Sequence, residues 1–166
     1  IVVLEKAERL EEVGAGLQLS PNASRVLVDN LRGGYDGMAH LLQLGHRNVR
    51  VIGTTAYSRA MQQRMAGAEK ALDEYGVPHD GELILSGALP QFDMGVETAL
   101  ALLKGEDRPT AIFALTDVTA VGVMHAAAKH GLRLPQDLSV VGFDDIPLAG
   151  YMIPSLTTVA QPIPDI

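Results

Sequence analysis

Short apolar runs alternating with glycine-stopped helical stretches constrain this chain more than any other feature. The runs are IVVLE (Ile1–Glu5), VRVIGTT (Val49–Thr55), ELILSG (Glu82–Gly87), TAIFAL (Thr110–Leu115) and LSVVGF (Leu138–Phe143). Each is short, rich in β-branched residues and apolar nearly throughout, as a strand buried on both faces must be. Between them the sequence predicts helices over Gly34–Leu44, Ser58–Tyr75, Phe92–Leu103 and Val118–His130. Met94, Ala101 and Leu102 are expected on one face of the third. Gly45, Gly76, Gly105 and Gly131 each follow a helical run, where a left-handed residue closes the helix. Strands joined by helices of this length require crossover connections and therefore a parallel sheet covered on both sides. The expected fold is α/β, a flavodoxin-like or periplasmic-binding-protein-like three-layer sandwich with a mostly parallel sheet, in one domain over residues 1–166.

The tail departs from this rhythm. IPSLTTVAQPIPDI holds Pro154, Pro162 and Pro164 around the short piece LTTVA. Proline removes ladder donors, so this piece is expected at a sheet edge or in a crossover. Composition then narrows the function. A formal charge of −7 with only 13 basic residues argues against a phosphate-binding surface and hence against direct DNA contact. No cysteine is present, which removes disulfides, zinc–thiolate sites and cysteine nucleophiles and suits a cytoplasmic setting. No apolar run approaches the roughly 18 residues of a membrane span. The histidines (His40, His46, His79, His125 and His130) are far apart and show no metal-ligand spacing, no serine sits in a nucleophile elbow, and no metal, cofactor or enzymatic activity is expected. His46, directly after Gly45, reads as a structural residue at a helix C-terminus.

The most specific stretch is VVGFDDIPLAGYMIPSLTTVAQP (Val140–Pro162). It delivers Asp144 and Asp145 at the C-terminal end of a buried strand, the edge at which open parallel sheets bind ligands. A carboxylate there accepts two hydroxyl hydrogen bonds, as a sugar diol offers. The alternative is structural: Asp145 caps the next short helix and Asp144 is solvated.

This run resembles the LacI/GalR family of bacterial transcription regulators, of the type I periplasmic-binding-protein fold. VDNLRGGYDGMAHLLQLGHRNVRVIG (Val28–Gly53), QRMAGAEKALDEYGVP and RPTAIFALTDVTAVGVMHAAAKHGLRLPQDLSVVGFDD resemble it in the same order and spacing. The resemblance covers about residues 28–162 and implies a C-terminal effector-binding subdomain. It places the ligand-contacting arginine on Arg64 and the strand-end carboxylate on Asp144. Thr116 and Asp117, which stand where the family usually has Asn-Asp, and Gln161, in the returning crossover, are the further expected ligand-binding residues. Structural alternatives stay open: Arg64 paired with Glu69 or exposed, and Asp117 as N-cap of its helix. The implied partner is a small polar, sugar-like effector. With one wall of a two-walled cleft, its binding is expected to be millimolar, about −4 kcal/mol. Apolar surface near Tyr151–Val159 suggests a homo-oligomer.

The opening segment IVVLEKAERLEEVGAGLQLSPNASRVL resembles FAD-dependent aromatic monooxygenases instead. That resemblance puts a ribose-binding carboxylate on Glu5. No G-x-G-x-x-G fingerprint occurs, however, so no pyrophosphate cradle accompanies it and FAD binding is not expected. Two resemblances meeting near Val26–Asp29 lead to the expectation of an engineered or recombined chimera. In it, residues 1–27 extend the sheet of a regulator subdomain (28–166), without an N-terminal subdomain or DNA-binding headpiece.

Overall fold

The apolar runs become strands in the computed structural model, which describes residues 2–6, 24–54, 58–79, 84–85, 92–105 and 107–161. Contacts divide the chain into two compact units, Ile1–Asp29 with Pro162–Ile166, and Asn30–Gln161. In the first unit, β1 (Val2–Lys6) pairs antiparallel with β2 (Ser24–Val28), Val2 opposite Val28 and Lys6 opposite Ser24. These strands form a two-stranded sheet of their own, so they do not extend the parallel sheet as the sequence reading had them do. β2 itself was not foreseen. Glu5 is described only as backbone opposite Arg25.

The second unit carries the α/β fold. Its order is α1 (Asn30–Gln43), β3 (Val49–Ile52), α2 (Arg59–Glu74), β4 (Ile84–Leu85), α3 (Phe92–Leu103), β5 (Ala111–Ala114), α4 (Asp117–Lys129), β6 (Ser139–Asp144), α5 (Pro147–Tyr151) and β7 (Thr157–Ala160). The sheet runs β4-β3-β5-β6-β7 and is parallel at every pairing. The LTTVA piece supplies β7, at the edge where its prolines are tolerated. The helices start and stop on chemistry legible in the chain. Ser58 caps α2 by accepting the Met61 N–H, and Thr116 caps α4 by accepting that of Thr119. Gly45, Gly76 and Gly131 take φ of 93°, 63° and 74° and close α1, α2 and α4. Paired bonds complete each closure, for example Gly76 N–H to the Asp73 carbonyl and Val77 N–H to that of Leu72. Gly105 is not among the positive-φ glycines. α1 starts four residues before the expected Gly34.

Two apolar layers flank the sheet. Met38, Leu41 and Leu42 of α1 and Met65, Ala68 and Leu72 of α2 pack on Val49, Val51, Phe113 and Phe143. On the other face Ala99 and Leu103 of α3 and Val123, Ala126 and Ala127 of α4 pack on Ile52 and Ile112. α3 buries Gly95, Ala99 and Leu103, which differs from the expected face: Met94 and Leu102 only pack against the core and Ala101 is exposed. The helices on each face touch through glycine. A Cβ on Gly67 would lie 2.0 Å from the Leu31 carbonyl oxygen, and one on Gly122 would lie 2.3 Å from that of Phe92. Without side chains there, the backbones approach closely enough to leave no void.

Candidate functional site

Parallel strands deliver their C-terminal ends to one edge, and there the polar residues gather. β5 leads into Leu115, Thr116 and Asp117, β6 ends at Asp144, and β7 is followed by Gln161. Arg64 reaches the same edge from the inner face of α2 and is only 4% exposed. Its Nη1 donates to the Leu115 carbonyl at 2.6 Å and its Nε to Asn30 Oδ1 at 2.9 Å. Its Nη2 lies 3.1 Å from Asp144 Oδ1, and its guanidinium stacks 3.6 Å from the centroid of the Phe143 ring. Burial pushes the guanidinium below the ordinary arginine value, and the Asp144 carboxylate acts in the opposite direction. Neither structural alternative for Arg64 holds, since it is neither exposed nor paired with Glu69.

Asp144 is the partner that faces outward, its side chain a quarter exposed. Gln161 Nε2 donates to its Oδ1 at 2.5 Å. Arg64, Asp144 and Gln161 are therefore one cluster, assembled from residues 80 and 17 positions apart in the chain. The backbone is bent to present it. Asp144 has φ 117° and Asp145 φ 55°, a region that costs a non-glycine residue about 1–3 kcal/mol unless the surroundings hold it. Asp145 does not cap α5: Ile146 occupies that position with no side-chain bond, behind Pro147.

Asp117 has a different setting. It is the first residue of α4, not its N-cap, and is fully buried. Its Oδ2 accepts the Ile146 N–H at 2.9 Å and its Oδ1 the Thr158 hydroxyl at 2.5 Å. Burial raises its pKa, the Thr158 and Ile146 bonds pull it down, and the charges of Asp144 and Asp145 raise it again. The N-cap role falls to Thr116, whose hydroxyl accepts from the Thr119 N–H and donates to Thr119 Oγ1 at 3.0 Å. Thr116 is thus bonded into its own helix start.

Arg64, Asp144 and Gln161, three of the expected site residues, lie together at this edge, and four groups that build the place are absent from the sequence reading. Asn30 and the Leu115 carbonyl orient Arg64, Phe143 lies under it, and Thr158 bonds Asp117. Only Phe143, next to Asp144 in GFDD, carried a signal. The site has no described lysine, and its one buried cation is already paired, so it offers hydrogen-bond acceptors and one amide to the outside. That chemistry suits a ligand rich in hydroxyl donors.

Comparisons with known proteins agree with this architecture. Residues 38–166 match the periplasmic binding protein-like domain family. The chain is 43% identical over 138 residues to the HTH-type transcriptional regulator DegA of Bacillus subtilis, across 83% of this chain and 40% of that protein. It is 38% identical over 141 residues to the ribose operon repressor of Haemophilus influenzae, across 85% of this chain and 42% of that protein. The chain thus spans less than half the length of the curated relatives it matches. Among solved structures, a LacI family transcriptional regulator from Enterococcus faecium with bound ribose superposes with a TM-score of 0.76 at 34% identity, covering 82% of this chain and 50% of that one. The chain belongs to the periplasmic binding protein-like domain family, and it is similar there to regulators of the LacI family.

Proposed function

We propose that residues 28–166 form one wall of an effector site for a neutral, sugar-like ligand, with Asp144 and Gln161 facing it. The carrying observation is the Arg64–Asp144–Gln161 cluster at the strand ends, in which the cation is buried and the carboxylate is left partly open. Asp144 accepts ligand hydroxyls, and Gln161 supplies both a donor and an acceptor beside it. The ribose bound by the Enterococcus faecium protein supports the ligand class. The regulatory role of the relatives supports a part in transcriptional control, exerted through the ligand and not by direct DNA contact, given the −7 charge.

The test is calorimetric titration of D-ribose and a panel of other sugars into the full chain and into Asp144→Asn. The asparagine keeps an acceptor for Gln161, so a folded variant without a heat signal would tie binding to the carboxylate. Micromolar binding by the full chain would contradict the millimolar expectation, and an unchanged titration in the variant would remove Asp144 from the site. Self-association belongs to the same reading: Tyr151 and Ile153 are 80% and 97% exposed beside an apolar cleft of about 280 Å³ lined by Phe92, Val121 and Met124. A monomeric mass by light scattering at high concentration would oppose it.

A second reading, that two sources join near residue 28, is favoured by the unit boundary at Asp29/Asn30. Deleting residues 2–27 is expected to leave the melting of the second unit in place, and a collapse of that melt would count against it.

A further inference from the structure

Asp117 and Thr158 make an arrangement that ligand contact does not account for. Asp117 is sealed from solvent, yet its carboxylate receives bonds from the turn after Asp144 and from the neighbouring strand β7. Ile146, two residues after Asp144, donates its N–H to Oδ2. Asp145, one residue after, donates its N–H to Thr158 Oγ1 at 3.3 Å, and that hydroxyl in turn donates a hydrogen bond to Asp117 Oδ1. Two consecutive amides leaving the turn thus end on one carboxylate, one directly and one through a hydroxyl. Both follow residues with positive φ, where a backbone needs its donors held in place.

The surroundings are cut to admit that carboxylate. Thr158 sits opposite Gly142 in the β6–β7 register, and a Cβ on Gly142 would meet Asp117 Oδ1 at 2.2 Å. A glycine two residues before Asp144 is what lets the side chain of α4 pass across β6. The same register places Asp144 opposite Ala160, the residue before Gln161. A carboxylate that grips the turn after Asp144 and the middle of β7 therefore sets both partners of the exposed Asp144–Gln161 pair.

We infer that Asp117 is a positioning residue: through Thr158 and the Ile146 amide it fixes the turn in which Asp144 meets Arg64 and Gln161, without itself touching ligand. The ligand-affinity part of its test rests on the effector-site reading above, whereas the backbone part does not.

The experiment is amide hydrogen exchange by NMR on the full chain, beside Thr158→Val and Thr158→Ser, followed by titration with D-ribose. Valine keeps the shape and removes the relay. Exchange at Asp145 is expected to rise about threefold to tenfold, as for a lost bond to a neutral hydroxyl, while the core amides of Val51 and Ile112 stay protected. Serine restores the hydroxyl and the protection. Ribose binding is expected to weaken about tenfold in the valine variant and to recover in the serine variant. Unchanged exchange at Asp145 in Thr158→Val overturns the inference, and so does faster exchange with unchanged ribose affinity. If the parent chain gives no ribose signal, the effector reading fails separately. The inference is then decided by the Gln161 side-chain amide resonance: displacement in the valine variant supports it, and an unmoved resonance overturns it.

Discussion

Asp117 and Asp144 are both acids at the end of a parallel strand, and the fold treats them in opposite ways. Asp144 has a cation, Arg64 at 3.1 Å, and keeps part of its surface open. Asp117 is fully buried, and its two bonds come from an N–H and a hydroxyl. A paired carboxylate can stay charged where a ligand must reach it, because its counter-ion offsets the loss of water. A carboxylate held by neutral donors pays for its burial with geometry, so it is useful where two loops must be fixed. The difference separates a group that faces the outside from one that shapes the group facing the outside.

The sharpest way to break this contrast is to remove the partner of the buried cation. Asp144→Ala leaves Arg64 buried beside Phe143 with only the Leu115 carbonyl and Asn30 to hold it, and should lower stability by about 3 kcal/mol. Urea denaturation measures this, with Asp144→Asn expected to lose markedly less. Gly142→Ala attacks the other acid by putting a methyl where Asp117 Oδ1 lies, and a loss of about 2 kcal/mol is expected from displacing a buried polar group. Thr158→Val, which removes one bond to the same carboxylate, should cost about 1.5 kcal/mol by the same measurement.

Smaller effects follow from protonation. Asp117 binds its proton more tightly folded than unfolded, because burial outweighs its two hydrogen bonds. Its charge therefore works against the fold above its raised pKa, and acidification from neutral pH toward that range relieves the cost. As pH falls through that range, the melting temperature of the parent chain should rise relative to that of Asp117→Asn. His46 has the opposite sense. Its pKa is lowered by burial, so the neutral ring is favoured in the fold. It bonds Thr110 Oγ1 at 2.9 Å and Ser139 Oγ at 3.0 Å, and the Thr110 hydroxyl already donates to the Asn48 carbonyl. Nδ1 must then carry the proton and Nε2 accept from Ser139. That contribution is present above the ordinary value of 6.5 and is lost as pH falls below it. His46→Gln should show a smaller fall in melting temperature between neutral and mildly acidic pH than the parent.

Much of the second unit was legible because its signals are local. A strand buried on two faces must be apolar along its length, and a helix that ends in a left-handed residue calls for glycine at Gly45, Gly76 and Gly131. Where local signals were weak, the reading slipped. A helix as apolar as FDMGVETALALL has little contrast between faces, so packing on α4 chose Gly95, Ala99 and Leu103. The N-cap alternative for Asp117 fails because Thr116 holds that position; either residue type can cap a helix, and only the neighbouring strands distinguish them.

The sequence by itself determined the parallel α/β layering, the helix closures at Gly45, Gly76 and Gly131, and the strand end that carries Asp144, and it kept LTTVA out of the sheet centre. These depend on periodicity, proline and glycine, which act within a few residues. Tertiary structure alone decided that β1 and β2 pair with each other, that Arg64 is buried on Phe143, and that Asp117 turns inward to Thr158 and Ile146. Each of those joins residues 18 or more positions apart, and no local preference encodes a partner at that distance. Which carboxylate meets a cation and which meets only neutral donors is settled by the packing of α2, α4, β6 and β7 around one edge of the sheet.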